Sequence, residues 1–163
     1  MMIRPAQFTP LSSALEQLGP HDHLCSIYEN RQEHLAAAIS FIQVGLARGE
    51  KCVYIADDGK FRDIHEALQA QGIDVDWAVA SKSLVWITAE QAYLKPGSLD
   101  LDWMFSFWKE TPELALSERF SALRAIDERE WVLKGTPGFE RWIEYESRLT
   151  HSLSQTKCLV LCQ

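Results

Sequence analysis

The chain has 163 residues, of which 47% are hydrophobic, and it carries a formal net charge of −7 at neutral pH. This length fits one domain that can bury a core without support from metals or disulfides. Because the balance is acidic and no run of Lys or Arg forms a basic stripe, direct binding of nucleic acid is excluded from the expected functions.

In chain order, the first half of the sequence predicts a short leading helix followed by two strand–helix pairs. Pro10 suits a first helical position, and Asn30 suits the N-cap of the second helix, with Glu33 in the reciprocal position of a capping box. Apolar residues then repeat on one helical face until Gly49 ends that helix. The predicted elements are a helix at 10–18, a strand at 23–28, a helix from Asn30 to Gly49, a strand at 51–56 and a helix at about 60–71.

The second half continues this alternation of strands and helices. One helical turn is expected within residues 74–81. A helix that begins near Leu101 is expected to kink or restart at Thr111 and Pro112, because proline cannot supply the interior hydrogen bond. The remaining predicted elements are strands at 84–88, 121–126 and 157–163 and a last helix at 138–153.

Short apolar strands that alternate with amphipathic helices predict an α/β fold, with a mainly parallel sheet of about five strands and helices on both faces. Residues 1–20 are expected to form an N-terminal extension with a short helix, and residues 21–163 the domain itself. Ligands of such sheets bind beyond the carboxyl ends of the strands. The segments expected at that edge are 28–30, 57–58, 88–93 and 127–131.

The turn "SIYENRQE" occupies the position where nucleotide-binding proteins place a phosphate loop. It contains no Gly and no Lys, and no G-x-G-x-x-G pattern occurs in the chain. Tyr28 and Glu29 add bulk and negative charge where a phosphate would lie. The sequence therefore predicts neither triphosphate binding nor ATPase or kinase activity, and without a G-x-S-x-G elbow we expect a protein that is not an enzyme.

The cysteines lie in or beside apolar, strand-like runs and include no C-x-x-C pair, which is typical of a reduced cytosolic protein. No stretch reaches the roughly 20 apolar residues of a membrane span, so we expect a cytoplasmic protein without a membrane partner. On a strand, His23 and Cys25 would point to one face, where Cys52 or Cys162 could complete a soft metal site. The favoured alternative is a core cysteine beside a hydrogen-bonded histidine, with no metal or cofactor.

Two acidic positions are candidate ligand contacts. Glu146 projects, by helical phase, into an apolar stripe formed by Trp142, Leu149 and Leu153 together with Phe139 and Ile143. A carboxylate there needs a ligand or an ion-pair partner, for which Arg124 or Arg119 is expected.

In "IDEREW", Asp127, Glu128 and Trp131 follow a predicted strand directly. They form either part of the functional edge or a solvated acidic loop.

Trp103 and Phe107 stand one helical turn apart, on a different face from Leu101, Met104 and Trp108. A helix that is apolar nearly all round is buried on two sides or belongs to an interface. We therefore hypothesise that this aromatic pair takes part in self-association and that the protein is a homodimer.

Several segments together resemble the MEDS family, the methanogen and methylotroph sensory domain of the DcmR regulator. They are "HDHLCSIYEN", "GLARGEKCVYIADD", "LQAQGIDVDWAVASKSLVWITAEQAYL", "LRAIDEREW", "GFERWIEYESRL" and "CLVLCQ", and the likeness extends from His21 to Gln163. The resemblance implies a RecA-like signalling input module without a functional phosphate loop. It also implies a histidine kinase or a transcription regulator as output partner.

Family patterns carry over to residues on the first strand, after the fourth strand and in the last helix, namely His23, Cys25, Tyr28, Glu128, Trp131, Tyr145 and Glu146. Two positions depart from them, since Asp127 stands where many relatives have a small residue and Trp103 replaces a commonly polar one.

The expected function is a non-catalytic sensory domain that binds a small apolar, aromatic or C1-type ligand. His23, Cys25, Tyr28, Glu128, Trp131 and Glu146 are its predicted ligand-binding residues. Two alternatives stay open: a metal or haem sensor that uses His23 and Cys25, and a ligand-free interaction module.

Overall fold

A five-stranded sheet in which all strands run parallel forms the centre of the fold. The structure is a computed structural model that describes residues 10–95, 98–130, 132, 135 and 137–163. In chain order its strands are β1 His23–Cys25, β2 Lys51–Ala56, β3 Leu84–Thr88, β4 Leu94–Lys95, β5 Ser98–Leu99, β6 Leu123–Asp127 and β7 Cys158–Cys162. The sheet has the order β1-β7-β6-β2-β3, and β4 pairs with β5 separately. The predicted α/β class with about five parallel strands is confirmed.

Helices cover both faces of this sheet. They are α1 Pro10–Leu15, α2 Arg31–Ala47, α3 Phe61–Ala70, α4 Val75–Ala80, α5 Ala89–Tyr93, α6 Leu101–Ser117 and α7 Trp142–Leu153, with 3-10 turns at Asp58–Lys60 and Phe139–Arg141. Alternate residues of β2 belong to opposite cores: Val53 and Ile55 pack with α5, α6 and α7, whereas Tyr54 packs with α1 to α4. The sheet therefore separates two apolar layers, and each can border a different cavity.

The first strand is shorter than predicted. β1 ends at Cys25, which pairs with Cys162, the last residue of β7. Beyond Cys25, β7 offers no further residue to pair with. The Ser26 amide still donates to the Cys162 carbonyl at 2.8 Å, and the chain then leaves the sheet. The early end of β1 frees Tyr28 to turn toward α2.

The N-terminus of α2 is capped much as predicted. The Asn30 side chain accepts a hydrogen bond from the Glu33 amide at 3.0 Å. The Glu33 carboxylate receives the Glu29 amide rather than that of Asn30, also at 3.0 Å. These bonds fix the turn between β1 and α2, which places Tyr28 and His34 beside each other.

Helix α6 runs unbroken through Pro112, so the predicted restart at that residue is wrong. It begins after Asp100, whose side chain accepts a hydrogen bond from the Trp103 amide at 3.0 Å. Pro112 lacks an amide hydrogen, yet its ring is buried on the same helix as Trp108 and Ala115. Core packing thus offsets the missing backbone hydrogen bond.

The last helix begins later than predicted, and its buried face differs. Gly138 has a φ of +91°, and the 3-10 turn Phe139–Arg141 precedes the α-helix. Ile143 is 82% exposed and Tyr145 is fully buried, so the expected place of Ile143 in the apolar stripe is wrong. The buried face follows Tyr145, Leu149 and Leu153, which are spaced four residues apart, and Ile143 falls outside it because residues two positions apart do not share a helix face.

We expect Gly45→Ala to lower the free energy of unfolding by about 2 kcal/mol, although Gly→Ala inside a helix ordinarily stabilises by about 1 kcal/mol. An added Cβ at this α2 position would lie 2.6 Å from Cys52 Sγ and 2.7 Å from Arg124 Cδ, both in the core. Urea denaturation measures the effect. Gly19→Ala is the control, because nothing lies within 4 Å of a Cβ there. A Gly45→Ala protein as stable as wild type would contradict this close packing of α2 on the sheet.

Candidate functional site

The direction of the chain connections reverses between β2 and β6. From β2 the chain moves outward to β3, and from β6 it moves in the opposite direction to β7. Ligands of parallel sheets bind at such a reversal, beyond the carboxyl ends of the strands. A cavity of about 790 Å³ opens there and is called the switch-point cavity here. Its lining includes Tyr28, Asn30, His34, Tyr54, Lys60 and Glu128.

Glu128 is the buried acid of the switch-point cavity. It follows β6 directly, and its amide donates to the Ile55 carbonyl at 2.9 Å, which ties it to β2. The Tyr54 hydroxyl donates a hydrogen bond to Oε1 of Glu128, and His34 Nε2 lies 3.0 Å from the same oxygen. Burial and the neighbouring carboxylate raise the pKa of Tyr54, so this tyrosine stays a hydrogen-bond donor at neutral pH.

Aromatic rings form one wall of the switch-point cavity. The rings of Tyr28 and His34 are 4.7 Å apart. Tyr54 packs edge-on against Trp86 at 5.8 Å and against Phe61 at 6.4 Å, which fixes its ring behind the carboxylate. Burial, together with Glu130 and Glu128, raises the pKa of Tyr28. Tyr28 is partly exposed and can contact an occupant, whereas Tyr54 is 1% exposed and acts through its hydrogen bond to Glu128.

The charge of the cavity lining is predominantly negative. Among the lining residues, the acids are Glu29, Asp57, Asp63, Glu128 and Glu130, whereas the bases other than His34 are Arg31 and Lys60. Arg31 pairs with Asp63 at 2.5 Å, and Lys60 pairs with Glu130 at 2.8 Å. Both cations are thus already neutralised by carboxylates, and the site disfavours a phosphate group electrostatically. It favours a neutral or cationic molecule.

A second cavity of about 550 Å³ lies between β1, β7 and α7 and is called the edge cavity. His23, Cys25 and Glu146 line it. His23 Nε2 lies 3.1 Å from Cys162 Sγ, and its Nδ1 lies 3.0 Å from Thr150 Oγ1. His23 and Cys25 share a face of β1, as the two-residue period of a strand requires.

Arg129 organises the inner wall of the edge cavity. Its guanidinium donates to Glu146 and to Cys162 Sγ, the latter at 2.6 Å, and lies 3.2 Å from Asp127 Oδ2. The same group stacks on Trp142, with 4.8 Å between the guanidinium carbon and the ring centroid. The predicted partners of Glu146, Arg124 and Arg119, are therefore wrong. Arg124 points to the opposite face of β6, where it pairs with Glu50.

The two acids that follow each other in "IDERE", Asp127 and Glu128, are both buried. Asp127 and Glu128 are 0% and 3% exposed, so the alternative of a solvated acidic loop is wrong for both. Burial raises the pKa of Asp127 to about 6, although the nearby Arg129 favours the ionised carboxylate. Burial also raises the pKa of the Cys162 thiol.

The comparison with protein families identifies the chain. The family model described as MEDS, the methanogen/methylotroph, DcmR sensory domain, matches residues 22–163. The chain belongs to the MEDS family. MEDS is a family of sensory domains, so the chain has a role in signal transduction. A comparison with curated proteins gave no match.

The predicted ligand-binding residues of this MEDS domain fall into two groups. Tyr28 and Glu128 line the switch-point cavity, whereas His23, Cys25 and Glu146 line the edge cavity. Trp131 lies outside the described residues.

The predicted residues line two different cavities because successive side chains along the chain after β6 point to opposite faces of the sheet. Glu128 and Arg129 are consecutive, and their side chains therefore leave on opposite sides of the sheet.

Sequence reasoning missed His34, Tyr54 and Arg129. Tyr54 looked like a core residue of β2, and His34 looked like an ordinary position in the first turn of α2. The alternation along β6 and the two residues after it is the signal that could have assigned Glu128 and Arg129 to opposite faces.

The metal alternative has little geometric support in the MEDS domain. Within the described ranges, no three His, Cys, Asp or Glu side chains are arranged to hold a metal ion. Cys52 is buried beside Arg124 on another strand, away from His23.

The two members of the aromatic pair on α6 differ in exposure. Trp103 is 40% exposed, whereas Phe107 packs against the core, with its ring 6.1 Å from that of Tyr93. Self-association through this pair stays a prediction.

In the described part of the chain, no helix is both long enough and apolar enough to cross a membrane.

Proposed function

We propose that this MEDS domain is a non-catalytic cytoplasmic sensor that binds a small molecule in the switch-point cavity. The observation that carries the proposal is the buried Glu128 carboxylate, which Tyr54 and His34 hold at the reversal point of the sheet. A buried acid beside an open cavity can recognise a ligand that donates a hydrogen bond or carries a positive charge.

The cavity supports a small aromatic or C1-type ligand with a polar group. Its volume, about 790 Å³, lies in the range of small-molecule sites. The partly exposed ring of Tyr28 suits contact with an aromatic ring or a methyl group, and the acidic lining suits an amine or a hydroxyl. A purely apolar ligand would displace water from Glu128 without offering the carboxylate a hydrogen bond in its place.

Ligand binding can bias α2, which connects the cavity to the rest of the fold. His34 belongs to α2 and lies 3.0 Å from Glu128. A ligand that takes the place of His34 at the carboxylate would favour a different position of the first turn of α2. A histidine kinase or a transcription regulator, joined to the domain or bound to its homodimer, is the proposed receiver of that change.

Native mass spectrometry of freshly purified protein, repeated after denaturation, tests whether a small molecule is retained. We then expect methylammonium or phenol, but not phosphate, to raise the thermal unfolding midpoint. Glu128→Gln should weaken that binding at least about tenfold, equivalent to 1.4 kcal/mol, because the carboxylate charge is lost. Glu140→Gln is the control, since Glu140 is exposed and does not line the cavity.

Two results would overturn the assignment of the site. One is ligand binding that is unchanged in Glu128→Gln. The other is a protein with no retained molecule and no response to any probe, which would favour the ligand-free interaction module.

A further inference from the structure

The edge cavity contains two cysteines in direct register. Cys25 and Cys162 are Cα partners at the carboxyl ends of the neighbouring parallel strands β1 and β7. Neighbouring strands lie about 4.8 Å apart, within the roughly 4.4 to 6.8 Å between Cα atoms that a disulfide spans. In-register residues of parallel strands point to the same face, and both thiols line the edge cavity. The backbone therefore places the two sulfur atoms as a potential pair.

The two thiols differ in access, and polar groups surround the inner one. Cys25 is exposed, whereas Cys162 is buried. Cys162 Sγ lies 2.6 Å from an Arg129 nitrogen and 3.1 Å from His23 Nε2. An oxidant can therefore reach Cys25 first, while a cation and a base flank the thiol that would respond.

We propose that Cys25 and Cys162 form a reversible disulfide, which makes the edge cavity a peroxide-sensitive modification site separate from the ligand site. Cys25 first releases its proton to solvent. The thiolate then attacks one oxygen of hydrogen peroxide, the O–O bond breaks, and the hydroxide that leaves takes up a proton from solvent to form water. Cys162 then loses its proton to His23 and attacks the sulfur of the Cys25 sulfenic acid. The S–O bond breaks, and hydroxide leaves with that proton as water. Two thiols are oxidised to one disulfide, and one peroxide is reduced to two waters.

The neighbours of Cys162 suit this second step. Burial lowers the pKa of His23, so its imidazole is neutral and has a free lone pair, but burial also raises the pKa of Cys162, and the proton transfer therefore needs the cation beside the sulfur. If Nδ1 donates to Thr150, Nε2 is the acceptor that faces Cys162. The Arg129 guanidinium stabilises the thiolate while it forms. Transient, redox-sensing disulfides are the kind that occurs in reducing compartments.

The bond would change the surroundings of Arg129. Forming it withdraws Cys162 Sγ from Arg129 and joins the edge strand β1 covalently to β7. Arg129 follows Glu128 in the chain, so the change is transmitted toward the switch-point cavity through one peptide unit. Oxidation would thus provide a second input to the same domain.

The test uses the full chain, reduced and then treated with a small excess of hydrogen peroxide at low protein concentration. The protein is then unfolded in urea so that the buried thiols are accessible, remaining thiols are blocked with N-ethylmaleimide, and intact mass and peptide maps are recorded without reductant. We expect two of the four cysteines to escape alkylation, a Cys25–Cys162 linked peptide, and full reversal by dithiothreitol. Cys52→Ala and Cys158→Ala, which alter the other buried cysteines, should still form the linked peptide.

Two variants test the order of the steps. Cys25→Ser should leave Cys162 alkylated after peroxide treatment. Cys162→Ala should leave Cys25 as a sulfenic acid that dimedone traps. Overoxidised Cys25 beside alkylated Cys162 in the wild type, or only Cys25–Cys25 links between chains, would overturn the proposal. The Glu128-dependent thermal shift is measured separately on reduced protein, so a failure of either proposal can be distinguished from a failure of the other.

Discussion

We expect Glu50→Gln to lower the free energy of unfolding by about 3 to 5 kcal/mol, because it leaves a buried guanidinium without its counter-charge. Arg124 lies in the middle of the sheet on β6 and is 1% exposed. Its Nε donates to the Glu50 carboxylate, and its two terminal nitrogens have no hydrogen-bond partner among the described residues. The guanidinium carbon lies 4.5 Å from the centre of the Phe41 ring, which compensates only part of the charge.

Replacing the other partner of the ion pair should lower the free energy of unfolding much less. Arg124→Met removes the buried charge, and Glu50 keeps Arg48, whose Nε lies 3.3 Å from its Oε1. We expect a loss of about 1 kcal/mol, and the double variant should resemble Arg124→Met, since replacing both members of a buried ion pair is often close to neutral.

Urea unfolding followed by tryptophan fluorescence measures all three variants. Equal losses for the two single variants would contradict the asymmetry, because the pair would then act as a simple mutual attraction.

Local chemistry made part of the fold predictable from the sequence. Asn30 caps α2 through its own first turn, and Gly49 ends the helix with a φ of +67°, so both signals act within a few residues. The apolar run of β2 is fully buried because helices cover both faces of its sheet. The cap, the helix-ending glycine and the continuous apolar run can each be recognised within a short stretch of sequence.

Contacts between distant segments decided the parts that could not be predicted. Glu146 pairs with Arg129 rather than Arg124 because alternation along β6 sends the two arginines to opposite faces. Ile143 is 82% exposed because it lies two residues from Tyr145, and α7 packs on the sheet through the face of Tyr145 and Leu149. Tyr54 acquires its role from Glu128, which lies far along the chain. Helical or strand periodicity assigns a face to a residue but does not identify its partner.

Arg129→Met should destabilise the protein more at about pH 7.5 than at about pH 5, by on the order of 2 kcal/mol. Burial raises the pKa of Asp127 from 3.8 to about 6 in the folded protein. Since the folded pKa is the higher one, protonation of Asp127 favours the fold. That contribution is complete below about pH 4 and is lost as the pH rises through about 6. Near pH 5 the folded carboxyl is largely protonated with or without Arg129, so the substitution removes mainly packing and the bond to Glu146.

At higher pH the wild-type Asp127 ionises beside Arg129, 3.2 Å away, whereas the variant has no cation there. Its carboxyl must stay protonated, which costs about 1.4 kcal/mol for each pH unit above the wild-type pKa. Urea unfolding at both pH values measures the difference.

His23 also titrates beside Arg129, with its pKa lowered by burial, and its stabilising effect is lost as the pH falls. The control is the double variant Arg129→Met with Asp127→Asn. Its free energy of unfolding should keep the pH dependence that comes from His23 and lose the part that comes from Asp127. If single and double variants depend on pH alike, the buried carboxyl is not the group that Arg129 serves to neutralise.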